Sequence, residues 1–277
     1  MIGKHLISDL SRHNFTYKTL GRSLGDDIYF DLSDPHNYNF DELQVNDVVI
    51  FLASISNPDE CAKNPKSSYE VNVQNTIVAI KQIISKQIYV LFASSDMVYS
   101  SNKGIVDEGT TPNPKQGYGK MKLEVENHFI NEPYFKSMRL SLVCAPNDKF
   151  TSFLLNASMN KNLVNIFHPM IRSMVSIQDV ILFVKAFIKQ PNQIPRLTNL
   201  VGSKFISKLD YVNVFSDVFN LDFSVSDPPS DFLLSRPKKI YAISKHLNQI
   251  LKNEPIDVLT ELRQNLINLN RENYEKN

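Results

Sequence analysis

Two apolar runs without alternation, Val48–Ala53 (V-V-I-F-L-A) and Ile88–Ala93 (I-Y-V-L-F-A), constrain this chain more than any other feature. A strand apolar at consecutive positions is buried on both faces, as happens inside a parallel sheet covered by helices. Between the two runs Val73, Ile77, Ile80 and Ile84 recur at helical spacing, within a segment running from about 67 to 86. Strand, helix and strand in that order form the crossover unit of a parallel sheet.

The alternation extends in both directions. Upstream, residues 3–13 read as a helix with Leu6, Ile7 and Leu10 on one side, and Tyr17–Leu20 and Ile28–Phe30 read as strands. Downstream, 117–131 reads as a helix and Ser137–Val143 as a strand. Beyond residue 145 the pattern changes to helices near 150–161, 179–189, 207–220 and 256–272, with a short strand at Leu197–Val201. Pro228-Pro229 and Arg236-Pro237 punctuate that region. The expected architecture is a doubly wound parallel α/β domain made of 1–145 and 176–202. A smaller lobe, 146–175 and 203–277, is expected to carry the substrate.

Composition excludes several classes. A net charge of +1 and the lack of a basic block give nucleic-acid binding no electrostatic support. The longest plain apolar run is Val48–Ala53, far short of the roughly 18 residues of a membrane span, and no secretory signal is visible. Cys61 and Cys144 give neither a disulfide framework nor metal-ligand spacing, and the six histidines form no metal-binding pair. Cys144 reads as a small buried residue. A cytoplasmic protein without a metal is expected, and a homodimer is left open.

The chemistry concentrates at Tyr118-Gly119-Lys120-Met121-Lys122. A tyrosine and a lysine four apart on a helix share one face. A nearby ammonium stabilises a phenolate, so the spacing predicts a tyrosine pKa below its usual value near 10. Such a tyrosine exchanges a proton with a carbonyl or alcohol oxygen. Spacing alone decides nothing, because the same pattern recurs at Tyr99…Lys103 and Tyr241…Lys245. Only Tyr118 opens a predicted helix and follows Ser94-Ser95-Asp96 at the tip of a buried strand, where ligands of α/β sheets bind. The plain alternatives are a surface tyrosine and a strand-end turn.

The runs F-A-S-S-D-M-V-Y-S and D-E-G-T-T-P-N-P-K-Q-G-Y-G-K-M-K-L-E-V-E resemble the catalytic core of the extended short-chain dehydrogenases/reductases. V-V-I-F-L-A-S, N-P-K-S-S-Y-E-V-N-V-Q-N-T, M-R-L-S-L-V and R-S-M-V-S-I-Q-D-V-I resemble further segments of that family, in order along nearly the whole chain. R-P-K-K-I-Y-A-I-S-K-H-L is similar to the C-terminal segment of its dTDP-4-dehydrorhamnose reductase subgroup. The resemblance implies a Rossmann-like fold, NADP or NAD as cofactor, and a nucleotide-linked sugar as substrate. It implies Tyr118 as general acid/base, Lys122 on the nicotinamide ribose, and Ser95 on the substrate oxygen with Asp96 beside it. Met97 stands where related dehydratases carry a glutamate, which argues against dehydration and leaves reduction or epimerisation; reduction of a 4-keto sugar is preferred.

For the cofactor, the resemblance implies Gly3 as the last glycine of the phosphate turn, Arg22 at a 2′-phosphate, Asp31 and Leu32 beside the adenine, and Leu52, Ala53 and Ser54 along the pyrophosphate. Asn72 matches a structural asparagine. Arg172 and Arg236 are candidates to clamp a substrate diphosphate, because guanidinium binds phosphate oxygens in bidentate fashion. Arg22 reads equally as a solvated arginine, and Arg172 and Arg236 as salt-bridge residues. One departure is serious: the first strand and first two glycines of the fingerprint are absent from the sequence. About a dozen further upstream residues are therefore expected. A catalytically silent binding or regulatory protein, and a reductase of a small non-sugar carbonyl, are the competing expectations.

Overall fold

The computed structural model describes residues 1–146 and 148–275. Helix α1 (Ile2–Arg12) leads to two short strands, β1 (Leu20–Gly21) and β2 (Ile28–Tyr29), paired in parallel. Strand β3 (Val48–Phe51) is followed by α2 (Pro58–Lys63), α3 (Pro65–Tyr69), a π-helical stretch Glu70–Asn75, and α4 (Thr76–Ile84). Strand β4 (Tyr89–Ser95) ends in a 3-10 turn, Asp96–Tyr99, and β5 (Ile105–Val106) precedes α5 (Gly117–His128). Next come β6 (Phe135–Leu140), β7 (Val143–Cys144), α6 (Lys149–Met159), β8 (Val164–Phe167), β9 (Ile171–Arg172), β10 (Val175–Ser176) and α7 (Ile177–Lys189). The chain closes with β11 (Leu197–Leu200), β12 (Ile206–Ser207), α8 (Lys208–Ser216), β13 (Phe223–Ser226), α9 (Ser230–Ser235), β14 (Tyr241–Ala242), α10 (Leu247–Leu251) and α11 (Val258–Glu275).

Four strands form one parallel sheet in the order β11-β6-β4-β3. Strand β4 shows why its sequence is apolar throughout. Val90 and Phe92 face a cluster with Ile80, Ile83, Val125 and Phe129 of α4, α5 and the turn after α5. Leu91 and Ala93 face the opposite way, into Leu6, Leu10, Val180, Phe183 and Phe187 of α1 and α7. Helices thus cover both faces, giving a doubly wound α/β fold. A separate cluster of Leu154, Val164, Ile166, Tyr211, Phe215 and Leu262 packs α6, β8, α8 and α11 together.

The structure departs from the predicted elements in four places. The helix predicted over 67–86 is broken by the π-helical stretch, and two asparagines account for the irregularity. Asn72 bonds the backbone of Ile55 and Asn75 the carbonyl of Leu32, so both side chains serve neighbouring loops. The strand predicted over 137–143 divides at Leu140: β6 belongs to the main sheet, whereas β7 pairs with β10. The strand predicted at Tyr17–Leu20 contracts to Leu20–Gly21. The parallel pair β8–β13 has no counterpart in the sequence prediction, since V-N-I-F and F-S-V-S are short and half polar.

The pair β1–β2 forms its own sheet, and no backbone pairing joins it to β3 among the described residues. A groove of about 640 Å³ is lined by Gly3, Leu6, Thr19, Leu20, Ile50 and Leu52 among others, residues of α1 and of both sheets. No described helix is long and apolar enough to cross a membrane.

Candidate active site

The carboxyl ends of β3 and β4 and the first turns of α5 meet at one edge of the sheet. Open α/β sheets bind ligands at such edges, because loops leaving the strand ends expose side chains there. Ser95 is the last residue of β4 and caps the following 3-10 turn, its Oγ accepting from the Met97 amide at 3.2 Å. The same hydroxyl lies 3.5 Å from Asp96 Oδ1.

Glycine at 119 is what lets α5 approach. A Cβ built there would overlap the Met97 carbonyl oxygen, so the helix backbone rests directly on the 3-10 turn. That contact holds Tyr118 next to the Ser95-Asp96 corner. Gly119→Ala is therefore expected to push α5 outward, with about 1–3 kcal/mol of destabilisation from overpacking and a loss of activity larger than stability alone explains. Urea unfolding and turnover, measured on the same preparations, check this outcome.

Tyr118 is partly buried, and the Lys122 ammonium sits 5.6 Å from its ring centroid and 4.6 Å from that of Phe92. This geometry corrects the expectation of a lowered tyrosine pKa. Lys122 lies over ring faces, and burial dominates at the phenol, pushing it up to about 12; the neighbouring Ser54 side chain works the other way. Lys122 is 2% exposed, and burial lowers its pKa to about 8. It forms no ion pair with a described carboxylate, so its hydrogen-bonding capacity is unspent. In the arrangement seen, the Tyr118 hydroxyl keeps its proton at neutral pH.

Asp96 is 4% exposed. Its Oδ2 accepts from Ser141 Oγ at 2.9 Å and faces Arg172 Nε at 3.6 Å. Burial raises its pKa, opposed by Arg172 and the hydroxyls of Ser141 and Ser95. Ser141, in the M-R-L-S-L-V segment, had no feature in the sequence to mark it as a partner of the site.

The other candidate residues divide between open and internally committed positions. Leu52, Ala53 and Ser54 follow β3 directly and are only partly buried. Asn72 fixes the next residue, taking the Ile55 amide at 2.8 Å and giving to its carbonyl at 3.0 Å. Arg22 is 73% exposed, with Nη1 3.9 Å from Asp31 Oδ2. The Asp31 carboxylate also accepts from Ser33, which holds its pKa below the usual range. Leu32 is buried, its carbonyl bonded by Tyr38 and Asn75. Gly3 lines the groove, and an added Cβ would make only an ordinary contact with Leu52.

Arg172 and Arg236 are both occupied within the protein. Besides Asp96, Arg172 donates to the carbonyls of Ile171 and Pro237 at 2.8 and 2.9 Å. Arg236 pairs with Asp59 of α2, bonds Ser235, and stacks over Phe232. The two rival tyrosine–lysine patterns lack the helical setting: Tyr99 lies in the 3-10 turn with its hydroxyl on the Asp107 carbonyl, and Tyr241 starts β14. Cys61 packs with Tyr118 and Met121, and Cys144 is buried against Met174. Among the described residues no cluster of His, Cys, Asp or Glu is placed to hold a metal.

Solved structures share this fold along nearly the whole chain. MoeE5 in complex with UDP-glucose and NAD superimposes with a TM-score of 0.83 at 19% identity, covering 99% of this chain and 96% of that one. A dTDP-4-dehydrorhamnose reductase from Yersinia enterocolitica gives 0.78 at 20% identity, over 96% and 95%. A UDP-glucuronic acid 4-epimerase from Bacillus cereus, with UDP-glucuronic acid and NAD, gives 0.80 at 18% identity, over 98% and 96%. Among curated proteins, methionine adenosyltransferase 2 subunit beta of Xenopus tropicalis is 23% identical over 193 residues, 66% of this chain, and the chain spans 58% of that relative's length. Residues 1–200 match the description of the NAD dependent epimerase/dehydratase family, and the chain belongs to that family.

Proposed function

We propose that this protein is an NAD(P)-dependent enzyme that reduces or epimerises a nucleotide-activated sugar. The observation that carries the reading is the convergence of Ser95, Tyr118 and Lys122 at the carboxyl ends of β3 and β4. The nucleotide-sugar enzymes among the structural neighbours support the substrate class.

The residues fit the nicotinamide half of the cofactor. Lys122 is a buried ammonium with no carboxylate partner, suited to the hydroxyls of a ribose. Leu52–Ser54 would border the pyrophosphate, and Arg22, Asp31 and Leu32 the adenosine. The cofactor would supply the hydride in a reduction, and would take it from the sugar and return it in an epimerisation. Ser95 orients the substrate oxygen, and Tyr118 transfers the proton at that oxygen, giving it in a reduction and taking it in the oxidation that starts an epimerisation. Asp96, with one oxygen on Ser141 and Arg172 and the other beside Ser95, acts by holding the Ser95 hydroxyl.

Arg22 provides the test of cofactor choice. If its guanidinium meets a 2′-phosphate, NADPH binds better than NADH, and Arg22→Ala narrows the gap by tenfold or more, because a charge-assisted contact is worth about 1.5–3 kcal/mol. Equal affinity of the parent protein for both cofactors rules out this role. Stoichiometry then separates the two reactions: a reductase consumes the cofactor, whereas an epimerase returns it.

A second reading, a catalytically silent subunit on the same fold, draws support from the curated relative, which is named as a subunit of another enzyme. Ligand binding without Tyr118-dependent turnover would favour it.

A further inference from the structure

Ser94 stands one residue before Ser95 and is 3% exposed, and its Oγ has no hydrogen-bond partner among the described residues. Alternation along β4 puts it on the face that carries Val90 and Phe92, which α4 and α5 cover. The register with β6 locates it further. Phe92 lies opposite Ser137 and Ser94 opposite Arg139, and the side chains of both partners reach Glu126 of α5. Pairing with β3 stops at Phe51 and Phe92, so Ser94 extends past that strand towards the edge where Tyr118 lies.

Lys122 arrives at the same place from the helix. It precedes Glu126 by one turn, and its ammonium lies 4.6 Å from the centroid of the Phe92 ring, the side chain that precedes Ser94 on this face. The titratable groups around the ammonium are committed elsewhere. Glu126 holds Arg139, the Cys61 thiol of α2 donates to the Ile55 carbonyl, and Tyr118 presents its ring. Buried polar groups are almost always paired, with protein or with ordered water, because an unpaired one costs free energy. An acceptor and a donor buried on one face, too far apart for a direct bond, are what a single bridging water satisfies.

We propose that Ser94 is a positioning residue for Lys122: its hydroxyl, across one bound water, holds the ammonium where it meets the ribose of the cofactor. The proposal rests on the nicotinamide-dependent reading. It gives the first serine of the Ser94-Ser95 pair a task distinct from that of Ser95, which faces the substrate oxygen.

Lysine labelled with carbon-13 at Cε, titrated by nuclear magnetic resonance in the parent, Ser94→Ala and Ser94→Thr, tests it; the Lys122 resonance is the one lost in Lys122→Arg. The expected result is a Lys122 midpoint about half a unit or more lower in Ser94→Ala, because a group that favours the charged form is gone. Ser94→Thr keeps the hydroxyl and should restore the midpoint. Calorimetric titration of NADH and NADPH should show binding by Ser94→Ala about threefold weaker than the parent on the alkaline side of that midpoint, and nearly equal on the acid side, where both ammoniums are charged. An idle hydroxyl behaves otherwise: its removal leaves the Lys122 titration in place and stability, by urea unfolding, unchanged or raised. The alanine variant loses a single oxygen and keeps the strand, so it decides the matter even if Ser94→Thr crowds α5. An unmoved Lys122 midpoint in folded Ser94→Ala overturns the proposal, whether or not the cofactor binds. A lowered midpoint in a protein that binds neither NADH nor NADPH upholds the link between Ser94 and Lys122 and counts against the cofactor reading instead.

Discussion

Tyr118→Phe is expected to reduce turnover by about 10²–10⁴-fold, the usual worth of a positioned general acid/base. The substitution removes one hydroxyl and keeps the ring. The ring packs with Met121, Cys61 and Val73 on one side and with Met97 and Val98 on the other, and the Lys122 ammonium faces it. All of those contacts survive, so folding and sugar binding should change little. Because burial pushes the phenol up to about 12, the hydroxyl carries its proton throughout the neutral range. This suits donation to an oxygen on which negative charge develops. Steady-state turnover beside circular dichroism and sugar titration measures the effect, and activity within threefold of the parent removes Tyr118 from the mechanism.

Arg139→Met is expected to have the largest effect on stability, about 3–5 kcal/mol, because it strands a buried carboxylate. Arg139 and Glu126 are each 3% exposed. Two guanidinium nitrogens reach Glu126, at 3.0 Å from Nε to Oε1 and 2.5 Å from Nη2 to Oε2, and Ser137 donates to the same carboxylate at 3.2 Å. The remaining nitrogen meets the Tyr99 hydroxyl, which donates to the Asp107 carbonyl at 2.8 Å. Glu126 lies one helical turn beyond Lys122, so this pair anchors α5, and Tyr118 with it, to β6. Removing both charges together, as in Arg139→Met with Glu126→Leu, should recover much of the loss, since no charge is then left unpaired. Urea unfolding of the two variants decides the matter; a single-variant cost under about 1 kcal/mol would show that water or another donor already serves Glu126.

The sheet and the candidate site were readable because their signals are local. Val48–Ala53 and Ile88–Ala93 are apolar at every position only because α1 and α7 cover one face and α4 and α5 the other. Ser95 and Tyr118 sit at a strand end and a helix start, positions that the pattern marks directly. What stayed hidden depends on partners distant in sequence. The guanidinium of Arg172 is spent on Asp96 and on carbonyls of Ile171 and Pro237, and no spacing rule pairs 172 with 96. The raised pKa of Tyr118 follows from burial, which the tyrosine–lysine spacing does not report. The π-helical stretch at Glu70–Asn75 likewise arises where Asn72 and Asn75 bond loops that precede them by many residues.

The measurement closest to the central claim is a panel of UDP- and dTDP-linked sugars incubated with the protein and NAD or NADP, each tried oxidised and reduced, followed by nuclear magnetic resonance of the sugar and absorbance of the cofactor. The account predicts that at least one sugar is reduced or inverted at a single carbon, and that Tyr118→Phe abolishes the conversion while still binding that sugar. No conversion of any sugar with either cofactor, or conversion that persists undiminished in Tyr118→Phe, would contradict it.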